Sequence, residues 1–435
     1  MGRGPAKITP SFSKPHGGET GAQEWKWTHL WWRPAVNGRG KEMIVARGRR
    51  RLGLLAALVG LTVAVAACGS SAMAPSSSTP TVLGSAEGTV SVLAGPGHVE
   101  DGSNNRSVNW VQPFSQQTGW QVEFTSFGTS DEAVAKMRSG QFDVVSASGD
   151  ASLRLIAAGD VAPINTALLS NYPNIYPYLR EKSWNSAGGK VYGVPSGWGA
   201  NLLMYRTDLV KPAPTSWSAV FDDADRYPGK VTAYDSPIYL ADAALYLMKH
   251  RPELRITNPY ALDEQQFQAV VDLLKIQRAS IGFYWNDIVH EVLAFSAGWS
   301  VIGTTWQVGA NLARDGGAQV ETVTPVEGST GWADSWMVSS RAKHLSCAYQ
   351  WINYALSPTV NAQITEYVGE APANSKACAH SKDRNHCAVY HSADAAYASK
   401  IWYWATPMAD CLDGRTDVKC VDYAGWTKAW LEIKG

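Results

Sequence analysis

The chain has 435 residues, with 38 basic and 38 acidic side chains and a formal net charge of zero. That balance gives no electrostatic footprint for a nucleic-acid partner, and four of the arginines (47, 49, 50 and 51) sit in one short basic run. Nineteen tryptophans are many, but an indole serves cores, sugar-stacking platforms and cation boxes alike, so the count chooses none of them.

The first local signal is the arginine run followed by an almost unbroken apolar stretch over residues 52–67. A basic segment and an apolar segment in that order make a secretory signal. The apolar stretch is shorter than the roughly 20 residues of a spanning helix, and it ends at Val65-Ala66-Ala67-Cys68-Gly69. Small residues before a cysteine resemble a lipobox, so Cys68 is expected to carry lipid and residues 43–67 to be removed. Residues 1–42 precede any sensible start of that signal and fit Met43 as the true start. Residues 68–88, rich in Ser, Ala, Pro, Thr and Gly, read as a flexible tether.

From residue 89 strands and helices alternate. Val90-Ser91-Val92-Leu93 reads as a strand that stops at Gly95-Pro96-Gly97-His98, and residues 108–118 carry apolar groups at helical spacing. Trp120-Gln121-Val122-Glu123-Phe124 alternates with period two. A capped helix is expected over 130–139, then the strand Phe142-Asp143-Val144-Val145 and the loop Ser146-Ala147-Ser148-Gly149-Asp150. This order implies βαβ units, whose ligands bind in the crevice at the carboxyl ends of the strands. Farther on, strands are expected at 201–205, 231–235 and 301–306. Ser216-Trp217 should open a helix, and residues 262–276 should form one with Asp263 and Gln266 as its capping box.

About 345 residues follow the tether, enough for two lobes at roughly 100–200 residues each. They contain Cys347, expected to be a buried free thiol, and Cys378, Cys387, Cys411 and Cys420. In an oxidising compartment the local pairs Cys378–Cys387 and Cys411–Cys420 are natural, although four cysteines allow three pairings. Zinc at Cys378, His380, His386 and Cys387 is the weaker reading.

Three tracts taken together resemble the spermidine/putrescine branch of the periplasmic solute-binding proteins of ABC importers. They are residues 142–148, Tyr192-Gly193-Val194-Pro195-Ser196-Gly197-Trp198-Gly199, and the run from Trp306 through Pro325-Val326-Glu327-Gly328 to Gly331-Trp332-Ala333-Asp334-Ser335. The resemblance implies a two-lobe, type II periplasmic-binding-protein-like α/β fold with the ligand cleft between lobes. Residues 89–197 and 332–390 would form one lobe, and 198–331 and 391–435 the other. It also implies an extracytoplasmic monomer, lipid-anchored through Cys68, that captures a small cationic amine for a membrane permease.

An aliphatic amine needs aromatic faces along its methylenes and acceptors at its charge. Trp306 and Trp332 would supply faces, Asp334 an acceptor, and Trp198 would stand with them. By resemblance Asp235 is a second carboxylate and Ser148 a loop hydroxyl. The family's aromatic-hydroxyl pair in the first loop is replaced by Gly95-Pro96, and its tyrosine after the serine by Asp150. The acidic residue three past Asp235 is Ile238, and a later tyrosine is Glu370. Asp150 and Glu370 are therefore added to the expected ligand set, and the ligand is an amine of open length. Read singly, the tryptophans are core, Asp334 a cap or an arginine partner and Asp235 a turn residue; Trp402 and Trp404 are expected to pack against the disulfide-bonded tail.

No enzyme is expected, nor any cofactor or metal. His290-Glu291 lacks the second histidine one turn later, since Ala294 stands there. No phosphate loop, dinucleotide fingerprint or Gly-x-Ser-x-Gly elbow occurs. Asp235 and Asp334 as a glycoside-hydrolysing pair, or the same fold holding a quaternary amine, a sugar or a metal complex, are the alternatives.

Overall fold

The computed structural model describes residues 79–85 and 87–435; the expected signal over 43–67, Cys68 and the extension 1–42 lie outside the described residues. Pro80 and Glu87, expected to lie in the tether, are held against the domain. Asn165 Nδ2 donates to the Pro80 carbonyl (2.9 Å), and the backbone N–H groups of Ser346 and Cys347 donate to the Glu87 carboxylate (3.0 and 2.9 Å). The helix Leu345–Ala355 has no side-chain cap of its own, and its first N–H groups need an acceptor. Glu87 meets that need and draws the preceding segment onto the domain.

The first sheet has eight strands among the described residues. Thr89–Ala94 pairs in parallel with Gln121–Ser126 and Val144–Ala147, as βαβ units demand. The helix Val111–Thr118 starts later than periodicity alone suggests; just before it, Asn109 Oδ1 accepts from the Gln112 N–H (2.9 Å) and turns the chain into its first turn. At the centre the long strand Ser329–Ser339 runs antiparallel to both Val144–Ala147 and Gly193–Ala200. Trp110, Phe114, Trp336 and Trp351, all at most 2% exposed, fill the core beneath this sheet.

The second sheet has five strands, in the order Ile281–Trp285, Val231–Tyr234, Ile302–Thr305, Leu202–Arg206 and Val320–Val323. The expected helix after Ser216 is only one tight turn, Trp217–Val220, capped by the Ser216 hydroxyl. The helix Glu264–Gln277 carries the expected capping box between Asp263 and Gln266. Trp217, Tyr239, Tyr246 and Trp426 are fully buried in the core of this lobe.

The chain passes between the sheets three times. It leaves the first after Ala200 and enters the second at Leu202, with Asn201 binding Thr330 through both backbone and side chain (2.9 and 2.7 Å). It returns between Val323 and Ser329. The third passage falls at residue 404, not 391, because Ile401–Tyr403 pairs in parallel with Ser329–Gly331 in the first sheet. Ile401 and Tyr403 belong to the first core and Trp404 and Ala405 to the second.

Beside these passages lies Asp242, whose carboxyl is pushed up to about 7 by burial, against the hydrogen bonds from Thr330 and Asn201. Both local disulfides, Cys378–Cys387 and Cys411–Cys420, are formed, and Cys347 is a buried free thiol.

Asp263 does two jobs, capping its helix and holding Arg415 (2.8 Å) in the loop closed by Cys411–Cys420. Replacing it by alanine is expected to cost about 1–2 kcal/mol in denaturant unfolding, and by asparagine less, since the cap survives. Equal losses for the two variants would assign the effect to the ion pair alone.

Candidate functional site

Antiparallel register sets the floor of the site. Trp332 lies opposite Gly199 and Asp334 opposite Gly197, so all four project to one face of the sheet. A Cβ at Gly199 would come within 2.6 Å of the Trp332 indole, and one at Gly197 within 2.1 Å of the Glu370 carboxyl. Absence of a side chain at these two positions is what lets the indole and the carboxylate lie flat on the strand. Glu370 arrives there because the helix Pro358–Val368 ends at Gly369 in a left-handed conformation (φ 83°), favoured by glycine.

Asp334 and Glu370 share one cation. His98 Nε2 lies 3.3 Å from Asp334 Oδ2 and 3.8 Å from Glu370 Oε1, ion-pair contacts without the alignment of good hydrogen bonds. The other Asp334 oxygen accepts from Ser148 Oγ. Ser148 precedes the helix Gly149–Ala157 but makes no cap bond, its hydroxyl being turned to the carboxylate. Glu370 is 0% exposed and neither of its oxygens accepts a hydrogen bond among the described residues.

Burial opposes charge on His98, yet Asp334 and Glu370 outweigh it and push the imidazole up to about 9. Burial pushes Glu370 up to about 8, against the pull of His98. Asp150, whose carboxyl accepts from Ser130 (3.0 Å), is pushed up to about 6 by burial. Ligand atoms of His98, Asp334 and Glu370 lie within 4.8 Å of one another, a spacing that would admit a metal ion. The proton on His98 meets the same electrostatic demand without one.

Next to this charge cluster stands a wall of rings. Trp306 packs edge-on to Trp332 (5.9 Å between centroids) and Trp285 (5.0 Å), and against Tyr234 (5.4 Å). Trp404 stacks on Tyr234 at 5.7 Å. Trp306 Nε1 donates to Asn201 Oδ1 (3.0 Å), whereas the buried Nε1 groups of Trp332 and Trp404 find no acceptor among the described residues. Tyr234 and Trp306 come from the second sheet and Trp332 and Asp334 from the first, so the two lobes meet here.

Cavities of about 50 Å³ beside Ser148 and Asp334 and about 20 Å³ beside Trp306 and Trp332 hold a few waters at most. The lobes touch where Asn311 Nδ2 donates to Tyr390 Oη (3.3 Å) and where Gly369 approaches Val308.

Of the residues singled out in the sequence, Ser148, Asp334 and Glu370 come together, with Asp150 beyond Ser130 and Trp306 and Trp332 alongside. Trp198 borders the ring cavity but is fully buried among Tyr178, Tyr397 and Tyr403. Asp235 stands apart, because its Oδ1 accepts from Lys434 Nζ (2.6 Å) and Trp430 Nε1 (3.1 Å) of the C-terminal helix Tyr423–Lys434. Trp404 belongs to the ring wall and not to the disulfide-bonded tail. Sequence reasoning misses His98 and Tyr234. His98 lies in the loop after the first strand, where the crevice rule directs attention, and Tyr234 immediately precedes Asp235.

Two α/β sheets joined by three passages, with charged and aromatic groups from both meeting beside them, define a two-lobe solute-binding protein. A model of the bacterial extracellular solute-binding protein family matches residues 109–386, and the chain belongs to that family.

The spermidine/putrescine-binding periplasmic protein of Escherichia coli K12 is 23% identical over 296 residues, covering 65% of this chain and 81% of that one. A putrescine/agmatine-binding protein of Pseudomonas aeruginosa is 28% identical over 300 residues, 64% of this chain and 79% of that one. Among solved structures, the spermidine/putrescine ABC transporter substrate-binding protein PotD of Streptococcus pneumoniae superposes with a TM-score of 0.61 at 18% identity, covering 80% of this chain and 98% of that one. The Treponema pallidum TpPotD lipoprotein gives 0.60 at 17%, covering 80% and 99%.

Because the folded-state value of His98 is raised from 6.5 to about 9, its stabilisation is complete below about 6.5 and lost as pH climbs through 9. Glu370 acts in the same direction, ionising from about 4.5 in the unfolded chain but only near 8 in the fold. Melting temperature is expected to fall between pH 6.5 and 9. In Asp334→Asn the His98 ring, followed by its imidazole proton resonance, is expected to titrate at lower pH. A wild-type midpoint near 6.5 would contradict the cluster.

Proposed function

We propose that this chain is the lipid-anchored, extracytoplasmic capture component of an ABC importer, and that it holds a small cationic amine between its lobes and presents it to a permease. The ammonium meets Asp334 and Glu370, with Ser148 and Asp150 behind them, while the carbon chain lies against Trp306 and Trp332. The observation that carries this reading is the placing of two carboxylates, one fully buried and accepting no hydrogen bond among the described residues, beside a wall of indoles at the seam between two lobes. Such a seam suits a cation with an aliphatic stem, because rings attract the charge and cover the methylenes while carboxylates accept from the ammonium.

Relatives named for putrescine and spermidine support the amine class. Anchoring rests on the arginine run, the apolar stretch and Cys68; among the described residues no helix is long and apolar enough to cross a membrane. The solute favours the closed form because only there do both lobes touch it, and closure is what a permease reads.

Titration calorimetry with putrescine, spermidine and spermine tests the reading. Binding of at least one amine is expected, weakened about tenfold or more in Asp334→Asn. If no amine binds, or the substitution leaves affinity unchanged, the assignment is wrong.

A further inference from the structure

We infer that the site selects an amine with a single ammonium group and a neutral far end, in preference to a diamine of the same length. The inference rests on the amine reading and sharpens its ligand class.

Two of the carboxylate positions, Asp235 and the Asp334–Glu370 pair, already face a cation of the chain itself, and the third, Asp150, feels the charge of Arg154. Lys434 Nζ lies 2.6 Å from Asp235 Oδ1, and Trp430 donates to the same oxygen. A second ligand ammonium at that position would have to displace a lysine. At the other position His98 lies between Asp334 and Glu370, and Ser148 takes up the remaining Asp334 oxygen. At neutral pH Glu370, pushed up to about 8 by burial, holds its proton and the imidazolium offsets Asp334, so the one charge an arriving ammonium can draw out is that of Glu370, whose oxygens accept no hydrogen bond among the described residues. One ammonium is matched there; two are not.

The chemistry of the opposite wall agrees. The buried indole N–H groups of Trp332 and Trp404 have no acceptor among the described residues, and an N–H donor repels an ammonium but suits a hydroxyl or carbonyl. Ring faces can cover methylenes or a methyl end equally well. The loop makes room for the imidazole, since a Cβ at Gly95 would crowd His98 Nδ1 at 3.3 Å.

The test compares three ligands of equal length that differ only at one end: putrescine, pentylamine and 4-amino-1-butanol. Calorimetry on the full folded chain at neutral pH is expected to show pentylamine or aminobutanol binding about tenfold more tightly than putrescine. Putrescine binding as tightly as either, or more so, overturns the inference while the amine reading stands. Binding of none of the three overturns both. Two variants test the cause. His98→Gln removes the internal cation at Asp334, and Lys434→Gln, at a partly exposed position that the core does not require, frees Asp235. Each is expected to shift the ratio toward putrescine by about fivefold or more; a ratio unchanged in Lys434→Gln, which leaves the core intact, counts against internal cations as the basis of selection.

Discussion

The pairing of Ser329–Ser339 with Gly193–Ala200 is the constraint on which the rest of the structure depends. These strands are central to the first sheet and lead directly to the passages into the second. Their register decides what faces the cleft, since a slip by one residue would turn Trp332 and Asp334 into the core and bring Ala333 out. The same register sets two glycines opposite those side chains. Space that would elsewhere hold Cβ atoms holds an indole and a carboxylate instead.

That floor imposes an electrostatic demand. A carboxylate as deeply buried as Glu370 is costly unless neutralised by a proton or paired with a cation. His98 supplies the pairing from a separate loop, and the competition between burial and attraction leaves both groups titrating in the range of about 8 to 9. Groups poised in that way respond when another cation arrives, as an ammonium does. In the proposed reading the link from packing to function is electrostatic: the geometry that orders the first lobe also sets the charge of the acceptors that a charged solute would meet.

Much of this is legible in the residues and some is not, for reasons that can be named. Alternating strands and helices, the capping box at Asp263 and the two local disulfides are short-range features, readable from adjacent residues. Trp306, Trp332, Asp334 and Ser148 can be marked because the order of tracts resembles a known family. Asp235 carries the same mark, yet its environment is set by Lys434, 199 positions away, where the last helix folds back onto the strand end. His98 is hidden for a similar reason: a histidine after a Gly-Pro-Gly turn has no distinguishing pattern until Asp334 and Glu370 are brought to it. The third passage cannot be placed from sequence because Ile401–Tyr403 is only three residues long and shows no periodicity.

Proton exchange on binding tests the central claim most directly. If a ligand ammonium settles against Asp334 and Glu370, it favours the ionised acid and competes with the imidazolium, so protons leave the protein. Calorimetry of amine binding at about pH 8, near the Glu370 value, in buffers of different ionisation enthalpy should report net proton release that is reduced in Glu370→Gln. Binding heat that does not change with the buffer would contradict the account, because the ammonium would then be held away from the cluster.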